Sequence, residues 1–342
     1  MKIALDVMGG DNAPSSNILG VKRFLNNNPP SDIKIILVGD ESLISEQLKA
    51  NDMASSKHIK IHHAPDLITM DESKPALAFK NKPNSSIVRS INLVKEKQAD
   101  AVISAGNTAA LLASSLFVLG KIEGIKRPTL ASYFPSKTGG FVLSDVGANA
   151  EVKPMHILQF AIMASIYAKH IKNTNSTKVG LLNIGAEKNK GNTLTQTSFD
   201  FLDKNIDGFV GNIEPRYIFN KDIDVVVCDG FTGNVVLKLT EGLISYFQDW
   251  ITTDNAIKND SKAVNAVNAI FNNYNYEEHG ASPFLGVNGI VLKCHGSCSE
   301  ISIDNSLNIA YLFAKEKLIH KIENELSENK IVTENFNQTD NE

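Results

Sequence analysis

The 342-residue chain carries 34 basic and 38 acidic side chains, a formal net charge of -4, which excludes a dedicated nucleic-acid binder built on a strongly basic domain. With 42% hydrophobic and 21% charged residues, the composition is that of a globular chain long enough to bury a large core, and not that of a disordered one. The three cysteines, Cys228, Cys294 and Cys298, suit a reducing cytosol better than a disulfide framework. No signal-peptide pattern precedes the first strand-like segment. The most apolar stretches, 109–119 and 155–167, fall short of the roughly 18–20 residues needed to cross a bilayer. A cytoplasmic protein is expected.

Taken in order, short apolar runs alternate with longer segments of helical period, the pattern of a mostly parallel sheet with helical crossovers. Strands are predicted at 2–7, 34–38, 59–62, 101–104, 129–133, 140–145, 178–184, 208–210, 225–228 and 289–293. Several are unbroken apolar runs, as strands covered on both faces require. A helix is expected over 14–27, with Pro14 at its first position. Another spans 154–171 and is apolar on nearly every side, so it belongs in the interior or at a subunit interface. A third, 235–251, lines up Leu239, Leu243, Phe247, Trp250 and Ile251 on one stripe. The Asn-rich stretch 252–278 extends a helical arm covering about 236–280, and residues 328–342 read as a polar disordered tail. With no repeat and no Pro/Gly-rich linker, one α/β/α catalytic domain over 1–327 is expected.

Six strand ends run into turns rich in Gly, Asn and Asp: MGGDNAP (8–14), SAGNTAA (104–110), SDVGANAE (144–151), NIGAEKNKGN (183–192), FVGNIEP (209–215) and CDGFTGN (228–234). KCHGSCS follows at 293–299. Ligands of open α/β sheets bind beyond the carboxyl ends of strands. Glycine lets backbone approach a ligand, and amides at a following helix N-terminus hold anions. Neither a dinucleotide fingerprint nor a P-loop is among these turns. On their own they point to a small anion or a phosphorylated ligand.

The string IALDVMGGDNAP at 3–14 resembles the opening of the PlsX-type phosphate acyltransferases of bacterial phospholipid synthesis. SAGNTAA, DVGAN, LLNIGAEKNKGN, FVGNIEP, DGFTGNVVLK and ASPFLGVNGIVLKCHG are similar to further segments of that family in the same order, as far as about residue 315. The resemblance implies a three-layer α/β/α sandwich of the isopropylmalate-dehydrogenase and phosphotransacetylase group. The activity it implies is transfer of a long-chain acyl group from acyl carrier protein to inorganic phosphate, with no cofactor. As partners it implies acyl carrier protein, inorganic phosphate and a downstream glycerol-3-phosphate acyltransferase. It further implies a homodimer and peripheral contact with the inner face of the membrane. Ala109 and Ser282 depart from the family pattern, both with small residues, and 252–278 matches it poorly.

Such a transfer needs phosphate held beside the carbonyl, a stabilised oxyanion and a protonated leaving thiolate. Phosphate is itself the nucleophile, so positioning and electrostatics dominate. The phosphate site is expected at Lys188, Lys190 and Gly191, with Asn234 and the backbone of Gly230 and Gly233. Lys190 would neutralise the anion and Asn234 would donate to the carbonyl oxygen. The other turns supply Gly9, Gly10, Asp11, Gly106, Asn107, Thr108, Asp145, Asn149, Asn212 and Asp229 as substrate-binding candidates. Asp6, Asp11, Asp145 and Asp229 would repel phosphate directly, so they are expected to orient amides or cap helices. His295 is read either as the acid that protonates the thiolate or as a histidine holding its own turn. Cys294 is expected in a buried strand, and Cys294, His295 and Cys298 lack the spacing of a zinc site. For an acidic carrier, Lys121, Lys126, Arg127 and Lys137 form the basic cluster expected to dock it, unless they serve only solubility. Residues 111–119 are read either as an acyl groove or as core. The rival activities are a phosphate acetyltransferase acting on acetyl-coenzyme A and a non-catalytic membrane-associated scaffold. An isopropylmalate-type dehydrogenase is disfavoured because arginines are few.

Overall fold

A computed structural model of the chain describes residues 1–27, 29–136, 139–253, 262, 264, 265 and 280–328. The chain divides into two compact units, residues 1–128 with 277–342, and residues 129–276.

In the first unit the strands are β1 (Lys2–Asp6), β2 (Lys34–Gly39), β3 (Ile59–His63), β4 (Ala101–Ser104), β10 (Ser282–Leu285) and β11 (Ile290–Lys293). Their order across the sheet is β3-β2-β1-β4-β11-β10. All neighbours run parallel except β10 and β11. Every residue of β4 and β11 is buried, and so is every residue but the first of β1 and β2, which is why these segments read as apolar runs. The chain winds outward from β1 to β3, then returns to place β4 on the other side of β1. Right-handed crossovers therefore put α1 (Ser15–Asn26) and α2 (Glu41–Ala50) on one face and α4 (Ser86–Lys95) on the other. α1 packs along α9 (Glu300–Lys315), and α4 along α5 (Thr108–Val118). A 3-10 turn at Pro75–Leu77, the short helix α3 (Ala78–Asn81) and α10 (Leu318–Glu328) complete the unit.

The second unit holds β5 (Thr129–Phe134), β6 (Phe141–Ser144), β7 (Val179–Leu182), β8 (Phe209–Ile213) and β9 (Val225–Val227), in the order β5-β6-β9-β7-β8. Only β5 and β6 are antiparallel. Helix α6 (Pro154–Lys172) packs on β6, β9 and α7 (Thr193–Asn205), with twelve consecutive residues, Ile157 to Ala168, buried. That burial accounts for a helix with almost no polar face. Helix α8 (Gly230–Thr253) follows β9 and leaves Val235, Leu239, Leu243, Tyr246, Phe247 and Trp250 exposed.

Two details differ from the sequence expectations. Pro14 is the N-cap of α1, not its first helical residue; one step earlier, its missing N–H is equally harmless. β10 was not anticipated, because Pro283 interrupts its donor pattern; it is tolerated where Pro283 faces Leu292 in the antiparallel pair. Of the expected arm, α8 covers the part to Thr253, and most of the remainder lies outside the described residues, as does the expected tail beyond 328. Among the described residues no helix is long and apolar enough to cross a membrane.

Gly20 sits where α1 meets α9, and a Cβ there would strike the side chain of Ile303 and come within 2.9 Å of the Glu300 carbonyl. Gly20→Val is predicted to destabilise the protein by on the order of 1–3 kcal/mol through overpacking, lowering the melting midpoint by several degrees. Gly242→Ala on α8, where a Cβ meets nothing within 4 Å, is predicted to be neutral or mildly stabilising. Calorimetry on both variants checks the contrast.

Candidate active site

In the first unit the turns after β1, β4 and β11 come together where the sheet winding reverses, the place where open α/β sheets take ligands. Their centre is Asp6, fully buried at the end of β1. The Ser104 hydroxyl donates to its Oδ2 at 2.6 Å and the Met8 amide to its Oδ1 at 3.1 Å. Burial raises the Asp6 pKa above the ordinary aspartate range, against the opposing pull of these donors. Ser104 Oγ also accepts from the Gly106 amide at 3.0 Å, so one carboxylate ties two turns together. The turns touch: a Cβ on Gly9 would lie 2.5 Å from the Gly106 nitrogen.

Gly10, at φ +102°, sits under the Gly296 carbonyl, which accepts from the Asp11 amide at 2.7 Å. Asn107 caps α5 by accepting from Ala110 N at 3.1 Å and donates through Nδ2 to the Met70 carbonyl at 3.0 Å. Thr108 is half-buried as the first residue of α5. His295 Nδ1 is engaged by Ser297 Oγ at 2.7 Å and accepts from Ser297 N at 3.3 Å, which fixes its own turn. Lys293, buried, directs its ammonium to the carbonyls of Ala105 and Cys294. Cys294 and Cys298 are buried; the Cys294 thiol is pulled down by its hydrogen bond from Cys298.

In the second unit Asp145 plays the corresponding part. Buried at the end of β6, its Oδ1 accepts from the amides of Leu130 (3.0 Å), Gly147 (3.3 Å) and Ala148 (3.0 Å). Its Oδ2 accepts from the Asn149 amide at 2.7 Å and Nδ2 at 2.9 Å. Burial pushes its pKa up as well. Glycine is required at the start of α8 because the helix lies on this turn. A Cβ on Gly230 would come within 2.5 Å of the Asn149 carbonyl, and one on Gly233 would collide with the Asp145 carbonyl. Asp229 caps α8, accepting from Thr232 N at 2.8 Å and Thr232 Oγ1 at 2.7 Å. Asn234, one turn into α8, rests its amide 3.5 Å from where a Gly147 Cβ would be.

The 183–192 turn is stapled from two sides. Asn183 Nδ2 donates to the Lys190 carbonyl at 3.1 Å, and buried Asn212 donates through Nδ2 to the Glu187 carbonyl at 2.8 Å. Gly191, at φ +89°, lies against Asn183 and Thr195 with no room for a Cβ, and Asn192 caps α7 through Thr195 N at 3.0 Å. The two lysines part company here. Lys188 pairs with Asp200 at 2.8 Å and covers the Phe199 ring, whereas the stem of Lys190 lies over Gly185. Beside this turn is a cleft of about 410 Å³, lined by the polar groups of Asn183, Gly191, Asn192, Asp229 and Thr232 and by apolar Ile157, Leu181, Leu182 and Leu194. Asn183 and Thr232 were not singled out by sequence; Asn183 closing an apolar strand beside a glycine was the available signal. Cys228 lines the same cleft, but burial raises its thiol well above the ordinary range.

The basic residues Lys121, Lys126 and Arg127 follow the far end of α5, about 16 Å of helix from the Asn107 cap. Lys121 Nζ donates to the Lys126 carbonyl at 2.9 Å. Lys137 lies outside the described residues. Among the described residues, no three His, Cys, Asp or Glu side chains gather as a metal site would require.

Residues 1–321 match a family model described as "Fatty acid synthesis protein". The chain is 43% identical to a phosphate acyltransferase of Halothermothrix orenii over 96% of its own length and 99% of the relative's. It is 42% identical to one of Desulforamulus reducens, over 98% and 100%. Among solved structures, its fold is shared by a phosphotransacetylase from Streptococcus pyogenes, with a TM-score of 0.61 and 14% identity, covering 92% of this chain and 94% of that one.

Two buried carboxyls with raised pKa values have a definite pH signature. As the pH rises from the ordinary aspartate range through those raised values, the unfolded chain sheds protons that the folded one keeps, so this contribution to stability falls. Carbon-13 titration of the Asp6 and Asp145 carboxyls is predicted to give midpoints above the ordinary range; midpoints below it contradict the assignment to burial. Asp145→Ala strands the Leu130, Gly147, Ala148 and Asn149 amides and is predicted to cost on the order of 3 kcal/mol or more, read by denaturant unfolding.

Proposed function

Because the chain belongs to the phosphate acyltransferase family of fatty acid synthesis proteins, we propose that it passes a long-chain fatty acyl group from acyl carrier protein to inorganic phosphate. The observation that carries this reading is the cleft beside the 183–192 turn, where the backbone of Gly191 and Asn192 meets apolar walls. Polar groups among apolar walls suit a substrate that joins an anion to an acyl carbonyl.

In this mechanism a phosphate oxygen attacks the thioester carbon, the new C–O bond forms, and the C–S bond breaks as the carrier's thiolate leaves and takes up a proton. The Lys190 ammonium neutralises the incoming anion. The Gly191 amide and the N-terminus of α8 at Gly230 add fixed partial positive charge. Asn234 donates to the carbonyl oxygen as it becomes an oxyanion. Asp229 accepts from Thr232 at the helix cap, so its carboxylate organises the start of α8 and does not bind phosphate itself. In the first unit Gly9, Gly10, Asp11, Gly106, Asn107 and Thr108 bind substrate through their turns. The acidic carrier docks on Lys121, Lys126 and Arg127, an attachment that weakens steeply with added salt. The exposed stripe of α8 is covered in a homodimer.

Purified protein incubated with phosphate is predicted to release free carrier thiol from palmitoyl-carrier protein and none from acetyl-coenzyme A. Equal or faster turnover of acetyl-coenzyme A would establish the short-chain activity instead. Lys190→Ala is predicted to lower kcat about 100-fold or more with the fold intact, while Lys188→Ala, whose partner is Asp200, changes it less than a few-fold. A Lys190→Ala enzyme with near wild-type turnover removes Lys190 from the mechanism.

A further inference from the structure

Along β1, β2 and β3, from Lys2 and Lys34 at the amino ends to His62 near the carboxyl end of β3, the first unit carries a second cleft. Its volume is about 340 Å³, and it is lined by Lys2, Lys34, Lys57, Lys60, His62 and Gln98 around apolar Ile36, Ile59 and Leu93. Sheet register builds it. Lys2 pairs with Lys34, Ile36 with Lys60 and Val38 with His62. Parallel neighbours share a face and side chains alternate along a strand, so Lys2, Lys34, Ile36, Lys60 and His62 all emerge on one face. Leu93 of α4 closes one side.

The positive charge in this cleft is not compensated locally. Among the described residues, none of the four lysines has a carboxylate partner; Lys34 Nζ donates to the Lys57 carbonyl at 2.6 Å. The nearby acids are committed elsewhere. Asp100 accepts from the Lys2 backbone N–H at 2.7 Å, Glu96 from Gln98 Nε2 at 2.9 Å, and Asp32 from the N-terminal ammonium at 3.3 Å. Burial lowers the His62 pKa first, and the charges of Arg89 and Lys60 lower it further, against a weaker pull from Glu96. Four lysines lining one concavity favour a bound anion.

We propose that this cleft is a binding site for a small organic phosphate, of the size of a nucleoside monophosphate, separate from the acyl-transfer site. The volume falls in the range of small-molecule sites, about 300–1,000 Å³, and exceeds what a lone inorganic anion needs. The apolar side chains of Ile36 and Leu93 suit a flat or apolar moiety, with the phosphate against Lys34 and Lys60. A concave, partly apolar site favours a small molecule over an acidic protein face. None of the residues lining this cleft belongs to the turns at 8–14, 104–110 or 293–299.

The test uses the full-length protein and adenosine monophosphate as probe, followed by calorimetry and by the carbon-13 and proton signals of the His62 ring at low salt. The expected result is saturable binding that moves the His62 signals, weakens at least tenfold in a Lys34→Gln/Lys60→Gln variant, and leaves that variant's basal acyl transfer unchanged. Inorganic phosphate alone is expected to bind at least tenfold more weakly. Absence of saturable binding, binding without movement of His62, or equal affinity in the double variant overturns the proposal. Equal affinity for inorganic phosphate overturns the part that assigns the apolar side chains to the ligand.

Discussion

A carboxylate without solvent, held by hydrogen-bond donors, is the interaction on which the glycine- and asparagine-rich turns depend. Asp145 accepts from four amides and one side-chain amide, and Asp6 binds the Met8 amide directly and the Gly106 amide through Ser104. Each lies at the carboxyl end of a buried strand, where the chain must leave the ladder and its amides lose their strand partners. A neutral acceptor would satisfy one or two donors; a carboxylate has room for four or more. Burial makes the ionised form costly, and the ring of donors offsets much of that cost. In both units a rigid turn with fixed amide groups is thereby built at a strand end.

Glycine does the remaining work by permitting contact. Gly9 against Gly106, and Gly230 and Gly233 against the 145–149 turn, remove the side chains that would hold these segments apart. Helix α8 can thus begin directly on the turn that Asp145 organises, which brings its N-terminal amides beside the cleft containing Gly191 and Asn192. The division between Lys188 and Lys190 follows the same logic. Lys188 is drawn outward to Asp200 and Phe199, while Asn183 and Asn212 fix the backbone between Glu187 and Lys190. The two lysines of the turn therefore differ in their surroundings, Lys188 held at Asp200 and the stem of Lys190 lying over Gly185.

Much of the fold was legible in the sequence because the buried parallel strands are apolar runs such as IAL in β1 and VVV in β9. Both buried ends of β4, Ala101 and Ser104, are marked by the apolar run itself. Pro283 hid β10, since a proline in a short run argues against a strand unless the partner is known. The turns were legible as ligand-binding elements, but their internal division of labour was not. Nothing in the spelling of GAEKNKG separates Lys188 from Lys190, because the deciding partner, Asp200, stands on the following helix. Asn183 reads as an ordinary strand end until its bond to Lys190 is seen. The lysine cleft was invisible for a stronger reason. Lys2, Lys34, Lys57 and Lys60 are scattered over the first sixty residues, and only the register of three strands assembles them.

The central claim is that turns fixed by buried carboxylates seat inorganic phosphate. Glycine-selective nitrogen-15 spectra recorded during a phosphate titration test it directly. The account predicts saturable movement of the Gly191 and Gly230 amides, with the packing glycines Gly20 and Gly180 unmoved. Silent turn glycines at saturating phosphate, or movement confined to glycines remote from the turns, would contradict it.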